Sequence, residues 1–354
     1  MPGASYDMGL FEFLRRDEFV AREFSETAMI SRMIEFEKHL AAALGAVGAV
    51  PKSEISAALR KLADFAPDTK LIRECTERDG VPVPELVRQL RAAAGAQFGT
   101  GLHLGATSQD LIDTALVLAL KNVNAYFLSR LNRLGGAFER LSAEFGDVEV
   151  MARTRMQNAE PMLARFRIES WRRPLDSHRK RLESLGPQLE RLQFGGPTGD
   201  RSRLGSRADD VARILADALG LCEPGHGWHS ERDSLAEYAS WNSALAGILG
   251  KFGQDVALMA QMGEVRLLNA GGSSSMPHKS NPIKAELLVS LARFNATLVS
   301  GFHQALVHEQ ERSGAAWMLE WMVLPQACAV SGASLVGAES LANSIAEFGA
   351  ESKR

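Results

Sequence analysis

Gly271-Gly-Ser-Ser-Ser-Met-Pro-His-Lys-Ser-Asn-Pro282 is the segment richest in reactive groups. Its glycines and serines give a pliant, hydroxyl-bearing chain. Lys279 adds a cation, and Asn281 adds an amide beside a helix start, where anions are favoured. A serine here acts as a base only if its alkoxide is stabilised, because a free hydroxyl is a poor base near neutral pH. Gly-Gly-Ser-Ser-Ser alone reads as a linker, but a linker does not need the ordered Met-Pro-His-Lys-Ser-Asn-Pro that follows. A phosphate-binding P-loop is excluded, since no glycine precedes Lys279. Thr107-Ser-Gln-Asp110 reads as a capping box, so Thr107 and Ser108 are either N-terminal caps or anion binders. His226 and His229 form a pair with no third ligand nearby in sequence, and no metal site is expected.

These groups must be held by long helices. From Ile112 through Leu116, Val123, Leu131 and Phe138 to Phe145, the apolar residues recur at steps of three or four. The spacing predicts one helix of roughly 57 Å. Similar stripes run over Trp241–Val265 and Leu287–Leu306, the second starting just after Pro282. A fourth helix is expected from near Pro161 to about Leu192, kinked or interrupted at Pro174. The last is expected over Ala315–Ala350. No convincing run of alternating β-branched residues occurs, so the fold class is all-α, a long-helix bundle. Residues 1–105, with shorter pieces broken by prolines, are expected to form an N-terminal helical domain, and 106–350 the bundle domain. Apolar faces of this length suggest pairing with other copies.

Composition bounds the function. Lys and Arg number 40 against 43 Asp and Glu, a net charge of −3, and 45% of the 354 residues are hydrophobic. That is ordinary for a folded globular chain. It argues against nucleic acid as the main partner. Three scattered cysteines fit neither a disulfide framework nor a metal knuckle, and a reducing cytoplasm is the simplest setting. Neither a signal peptide nor a membrane span is expected.

Gly272–Pro282 resembles the GSSxMPxKxNP signature of the fumarase/aspartase superfamily. His103-Leu-Gly-Ala-Thr-Ser-Gln-Asp-Leu-Ile-Asp-Thr114 resembles the superfamily's first conserved region, and Arg153-Thr-Arg-Met-Gln-Asn-Ala-Glu-Pro161 its second, usually R-T-H-x-Q-x-A-x-P. The resemblance implies a helical homotetramer with five long helices per subunit and active sites shared between subunits. It implies chemistry through an enolate-like dianion next to a carboxylate. Ser273 matches the loop serine that serves as the base, with Ser274 as the neighbouring candidate and His103 as the first-region histidine. Thr107, Ser108, Thr154, Gln157, Lys279 and Asn281 match substrate-binding positions.

One departure stands out. Arg155 occupies the position of the second-region histidine. Arginine cannot act as a general acid or base, but it binds carboxylates bidentately. Gly225-His-Gly-Trp-His-Ser-Glu-Arg-Asp233 is similar to the W-H-x-x-R-D segment of the carboxymuconate cycloisomerase branch, which also lacks that histidine. His229 and Arg232 then read as substrate-binding groups, with Arg232-Asp233 as a structural ion pair the other reading. That branch implies lactonisation of a small tricarboxylate, with no cofactor or metal and no nucleic-acid or membrane partner. The alternative is a fumarate-releasing lyase like adenylosuccinate lyase. Compared with full-length relatives, the C-terminal helical domain is expected to be reduced or absent.

Overall fold

The structure is a computed structural model that describes residues 9–96, 99–268, 270–272, 274–276 and 278–349. Five helices open the chain: α1 (Glu18–Glu23), α2 (Glu26–Ala46), α3 (Lys52–Lys61), α4 (Thr69–Asp79) and α5 (Val83–Ala94). The bundle follows with α6 (Ser108–Phe145), α7 (Ala164–Leu189), the shorter α8 (Ala208–Leu219), α9 (Asp233–Gln261), α10 (Ile283–Gln304) and α11 (Ala315–Ala342). At 38 residues, α6 spans roughly 57 Å. It begins where the sequence indicates, with the Asp110 carboxylate accepting the Thr107 N–H at 2.9 Å.

The apolar stripes become the core. Phe138 of α6, Trp171 of α7 and Phe252 of α9 interlock, with Phe252 4.9 Å from each of the other two rings. Truncating a buried aromatic of this kind costs about 3–5 kcal/mol, so these contacts fix the helix order. α9 and α10 pack so closely that a Cβ on Gly250 would lie 2.5 Å from Cβ of Ala292. The buried apolar cluster is continuous from Val20 to Phe348, joining the N-terminal helices to the bundle. By length and composition α6 and α11 could each cross a membrane, but most of their apolar windows lie inside the bundle.

Among the described residues, four short strands break the all-helical pattern. β1 (Glu149–Thr154) and β2 (Gln157–Leu163) form a hairpin, and β3 (Val265–Leu267) pairs antiparallel with β4 (Ile345–Phe348). Neither strand of the hairpin alternates in the sequence, because its β2 face is almost wholly exposed. Pro161 therefore lies in β2, and the fourth long helix starts at Ala164. That helix runs through Pro174 and Pro187 without interruption. Its buried row of Ile168, Trp171, Leu175, His178, Leu182 and Leu185 holds it against its neighbours. The last helix stops at Ala342, and the chain turns into β4. The arginine-rich face of α7 is a run of surface ion pairs, including Arg172 with Glu169 and Asp176, and Arg179 with Glu183.

The chain direction sorts the chemistry to two ends. The starts of α6, α9 and α11 share one end, where Asp113, Arg232 and Trp317 meet. The ends of α6, α9 and α11 share the other, with the β1–β2 hairpin and the β3–β4 pair.

Candidate active site

At the first end, the start of α6 is wired to two loops. The Asp110 carboxylate is fully buried and accepts four hydrogen bonds. Three come from the backbone N–H groups of Thr107, Gly195 and Gly196, each at 2.9 Å. The fourth comes from Nε2 of His229 at 2.8 Å. Gly195 is required here, because a Cβ would lie 2.9 Å from the His229 ring. His229 is only 3% exposed, and its Nδ1 has no partner among the described residues. Gln109 donates to the His229 carbonyl at 2.9 Å and to Asp113 at 3.1 Å, and accepts from Nε of Arg312 at 2.9 Å. Thr107 and Ser108 lie beside this array, partly exposed.

One turn further along α6, Asp113 and Glu320 of α11 hold the Arg232 guanidinium between them. The Arg232 side chain has no solvent exposure, and it sits 4.9 Å from the Trp228 ring centre. Burial alone would raise the Asp113 carboxyl. The charge and hydrogen bonds of Arg232, with those of Trp317 and Gln193, outweigh burial and hold it below the usual carboxylate range. Burial likewise works against the Arg232 cation, and the two carboxylates more than restore it. His308 adds a 3.1 Å contact to Glu320. In this chain Arg232 is thus occupied by two carboxylates, and its partners are Asp113 and Glu320 rather than the adjacent Asp233. His226 and His229 do not converge: His226 is exposed on Glu231, whereas His229 faces Asp110.

His103 lies just before this array, in a left-handed conformation with φ 61°. Such a backbone costs a non-glycine residue on the order of 1 kcal/mol. Glu37 of α2 compensates: Oε2 accepts the His103 backbone N–H at 2.8 Å, and Oε1 lies 2.6 Å from Nδ1.

The other end is open. The hairpin turns on Arg155 and Met156, both at positive φ, as a type I′ turn requires. Thr154, Arg155 and Gln157 are exposed. The hairpin is tied to Glu264 near its turn by Arg153 at 2.5 Å, and Glu264 is also 3.5 Å from Arg167 of α7. The glycine- and serine-rich loop is pinched at its root, where Gly271 and Asn281 exchange two backbone hydrogen bonds of 2.8 Å. Nδ2 of Asn281 donates to the Gly272 carbonyl at 3.2 Å. Ser274 and Lys279 are exposed. Ser273 lies outside the described residues.

One chain therefore brings the first region together with the Trp228-His-Ser-Glu-Arg-Asp233 segment. It leaves the hairpin and the loop at the far end of α6, a helix roughly 57 Å long. The sequence reading missed Glu37, Arg312 and Glu320. Glu37 had a signal: it falls on the apolar row Met33, Leu40 and Leu44 of α2, where an unpaired acid is out of place. Arg312 and Glu320 had none, since their partners lie about 200 and 90 residues away.

The profile of the family described as Lyase matches residues 15–294. The 3-carboxy-cis,cis-muconate cycloisomerase of Pseudomonas aeruginosa is 36% identical over 320 residues, covering 88% of this chain and 70% of the relative. Among solved structures, the 3-carboxy-cis,cis-muconate lactonizing enzyme of Pseudomonas putida superposes with a TM-score of 0.88 at 33% identity, over 96% of this chain and 77% of that one. A fumarate lyase from Mesorhizobium sp. BNC1 matches with a TM-score of 0.88 at 32% identity, over 94% and 76%. With a profile spanning most of the chain and relatives at this identity, the chain belongs to the lyase family of the fumarase/aspartase superfamily.

Proposed function

We propose that this chain is a cycloisomerase that closes 3-carboxy-cis,cis-muconate into its carboxymuconolactone, a step of protocatechuate catabolism in the cytoplasm. One observation carries the reading. The two segments most like the cycloisomerase branch form a single hydrogen-bonded unit: His229 on Asp110, Arg232 on Asp113, and Gln109 on the His229 carbonyl. The relatives' names point to the same reaction.

In this reaction one substrate carboxylate attacks the conjugated double bond. The electron pair moves onto a neighbouring carboxylate as an enolate-like dianion, and a proton then joins the carbon beside it. The nucleophile is intramolecular, so orientation supplies much of the rate. The protein must hold three carboxylates and deliver one proton. Lys279, exposed on the loop, and Arg155, exposed on the hairpin tip, are cations free to meet carboxylates. Ser273, with Ser274 beside it, is the loop hydroxyl that handles the proton. Thr107, Ser108, Thr154, Gln157 and Asn281 complete the binding set, while His229 and Arg232 support the start of α6.

A site built from both ends of α6 needs more than one copy, because one chain holds them at opposite ends of a helix roughly 57 Å long. We propose a homotetramer in which the first region, the hairpin and the loop of different subunits converge. The fold neighbour from Mesorhizobium favours one alternative, a fumarate-releasing lyase. Arg155 weighs against it, since an amine leaving group needs an acid that arginine cannot be. The test is loss of diene absorbance with 3-carboxy-cis,cis-muconate, with the product identified by NMR. A lactone supports the reading. An untouched substrate with assembled protein overturns it.

A further inference from the structure

We infer that Glu37 is a positioning residue that fixes the ring orientation and tautomer of His103, so that Nε2 is the nitrogen offered to substrate. Glu37 is fully buried on the apolar face of α2, beside Met33, Phe36, Leu40 and Ala41. A carboxylate in such a place needs hydrogen bonds to remain there. Among the described residues the bonds to Glu37 come from His103 alone, through the backbone N–H and the ring. An ionised carboxylate only accepts. Against an ionised Glu37, Nδ1 of His103 carries a proton, and in the neutral imidazole the lone pair is on Nε2. The His103 side chain is 19% exposed, and Nε2 has no partner among the described residues. His103 stands four residues before Thr107, at the start of α6. The same carboxylate holds the strained backbone through one oxygen and the ring through the other, so the imidazole cannot swing without losing its contact to Oε1. This is the arrangement by which a buried acid sets a histidine for proton transfer. That Nε2 meets substrate rests on the reading of the site above. The setting of the ring by Glu37 does not.

Glu37→Gln separates positioning from packing. A glutamine has one oxygen and one NH2 group in the space of the two carboxylate oxygens. The backbone N–H of His103 can only donate, so the oxygen must face it. The NH2 then faces Nδ1, which must give up its proton. The ring is forced into the opposite tautomer with Nε2 protonated, at almost unchanged volume.

The experiment uses the full chain with 15N-histidine labelling. Long-range 1H–15N spectra report the tautomer of the eight histidines, with His103→Ala assigning the signal. Steady-state kinetics on 3-carboxy-cis,cis-muconate and thermal unfolding follow on the same samples. In the wild type His103 is expected to be protonated on Nδ1, and in Glu37→Gln on Nε2. The substitution lowers kcat about 100-fold, with KM within about threefold and little change in Tm. In the His103→Ala background it costs nothing more. A wild-type His103 protonated on Nε2 alone overturns the inference without any variant. So does a Glu37→Gln enzyme with kcat within about twofold of wild type, or an equal loss in the His103→Ala background. If the wild type leaves the substrate untouched, the functional reading falls, and the tautomers alone decide the role of Glu37.

Discussion

The two ends of α6 solve opposite problems. At its start, charges are buried and matched: Arg232 lies between Asp113 and Glu320, and Asp110 accepts four hydrogen bonds. Beyond its end, the groups with chemical promise are exposed. Arg155 sits on a hairpin tip, and Lys279 sits on a loop pinched at its root. The closed end is a scaffold whose electrostatic cost is settled within the chain. At the open end Arg155 and Lys279 make no ion pair among the described residues and can take a ligand's carboxylates. A buried pair resists change because removing one partner strands the other. An exposed arginine can be removed with little cost to the fold.

Four substitutions test that contrast. The largest effect belongs to Ser273→Ala, expected to lower turnover about 10³-fold while the assembled protein stays folded. Mixed with the His103→Ala variant under subunit exchange, it is expected to regain turnover. No recovery in well-mixed hybrids would break the idea that the two ends meet across subunits. Next is Arg232→Met at the closed end. It leaves Asp113 and Glu320 buried without their cation and is expected to lower stability by about 3–5 kcal/mol in urea titrations. A loss under about 1 kcal/mol would show that end to be less closed than its geometry indicates.

His178, in the interior of α7, comes third. Burial, with the charge of Arg181 adding to it, pushes its imidazole down to about 4. The unfolded imidazole takes its proton near 6.5. Between these values the unfolded chain holds more protons, so stability is full above about 6.5 and falls as the pH drops towards 4. The contribution is on the order of 2 kcal/mol. His178→Phe is expected to flatten that part of the stability–pH curve, and an unchanged curve would assign the slope elsewhere. The smallest effect on the fold is that of Arg155→Ala. KM is expected to rise about tenfold, with stability within about 0.5 kcal/mol of wild type. A lower kcat at constant KM would give Arg155 a role in the transition state rather than in binding.

The elements differed in how legible they were. α6 was readable to its first residue, because a capping box and an unbroken apolar period lie within one stretch of chain. The hairpin was not readable, since β2 is exposed and carries no alternation. Pro174 does not interrupt the helix, because proline's local cost is judged against an isolated helix, while six buried side chains hold α7 against its neighbours on both sides of it. The reactive residues were legible as types and spacings. Their partners were not: Arg232 read as a substrate ligand or as a pair with Asp233, and the fold instead sets it between Asp113 and Glu320.

The sequence by itself determined the long helices, the glycine- and serine-rich loop with its lysine, and the arginine in place of a histidine at position 155. Those properties follow from short-range periodicity and side-chain chemistry. Only the tertiary structure decided which charges are spent and which are free. That depends on residues brought together from distant parts of the chain, as Glu37 is to His103 and Glu320 to Arg232. A carboxylate is a partner or a liability according to what lies within about 3 Å of it, and sequence distance carries no information about that.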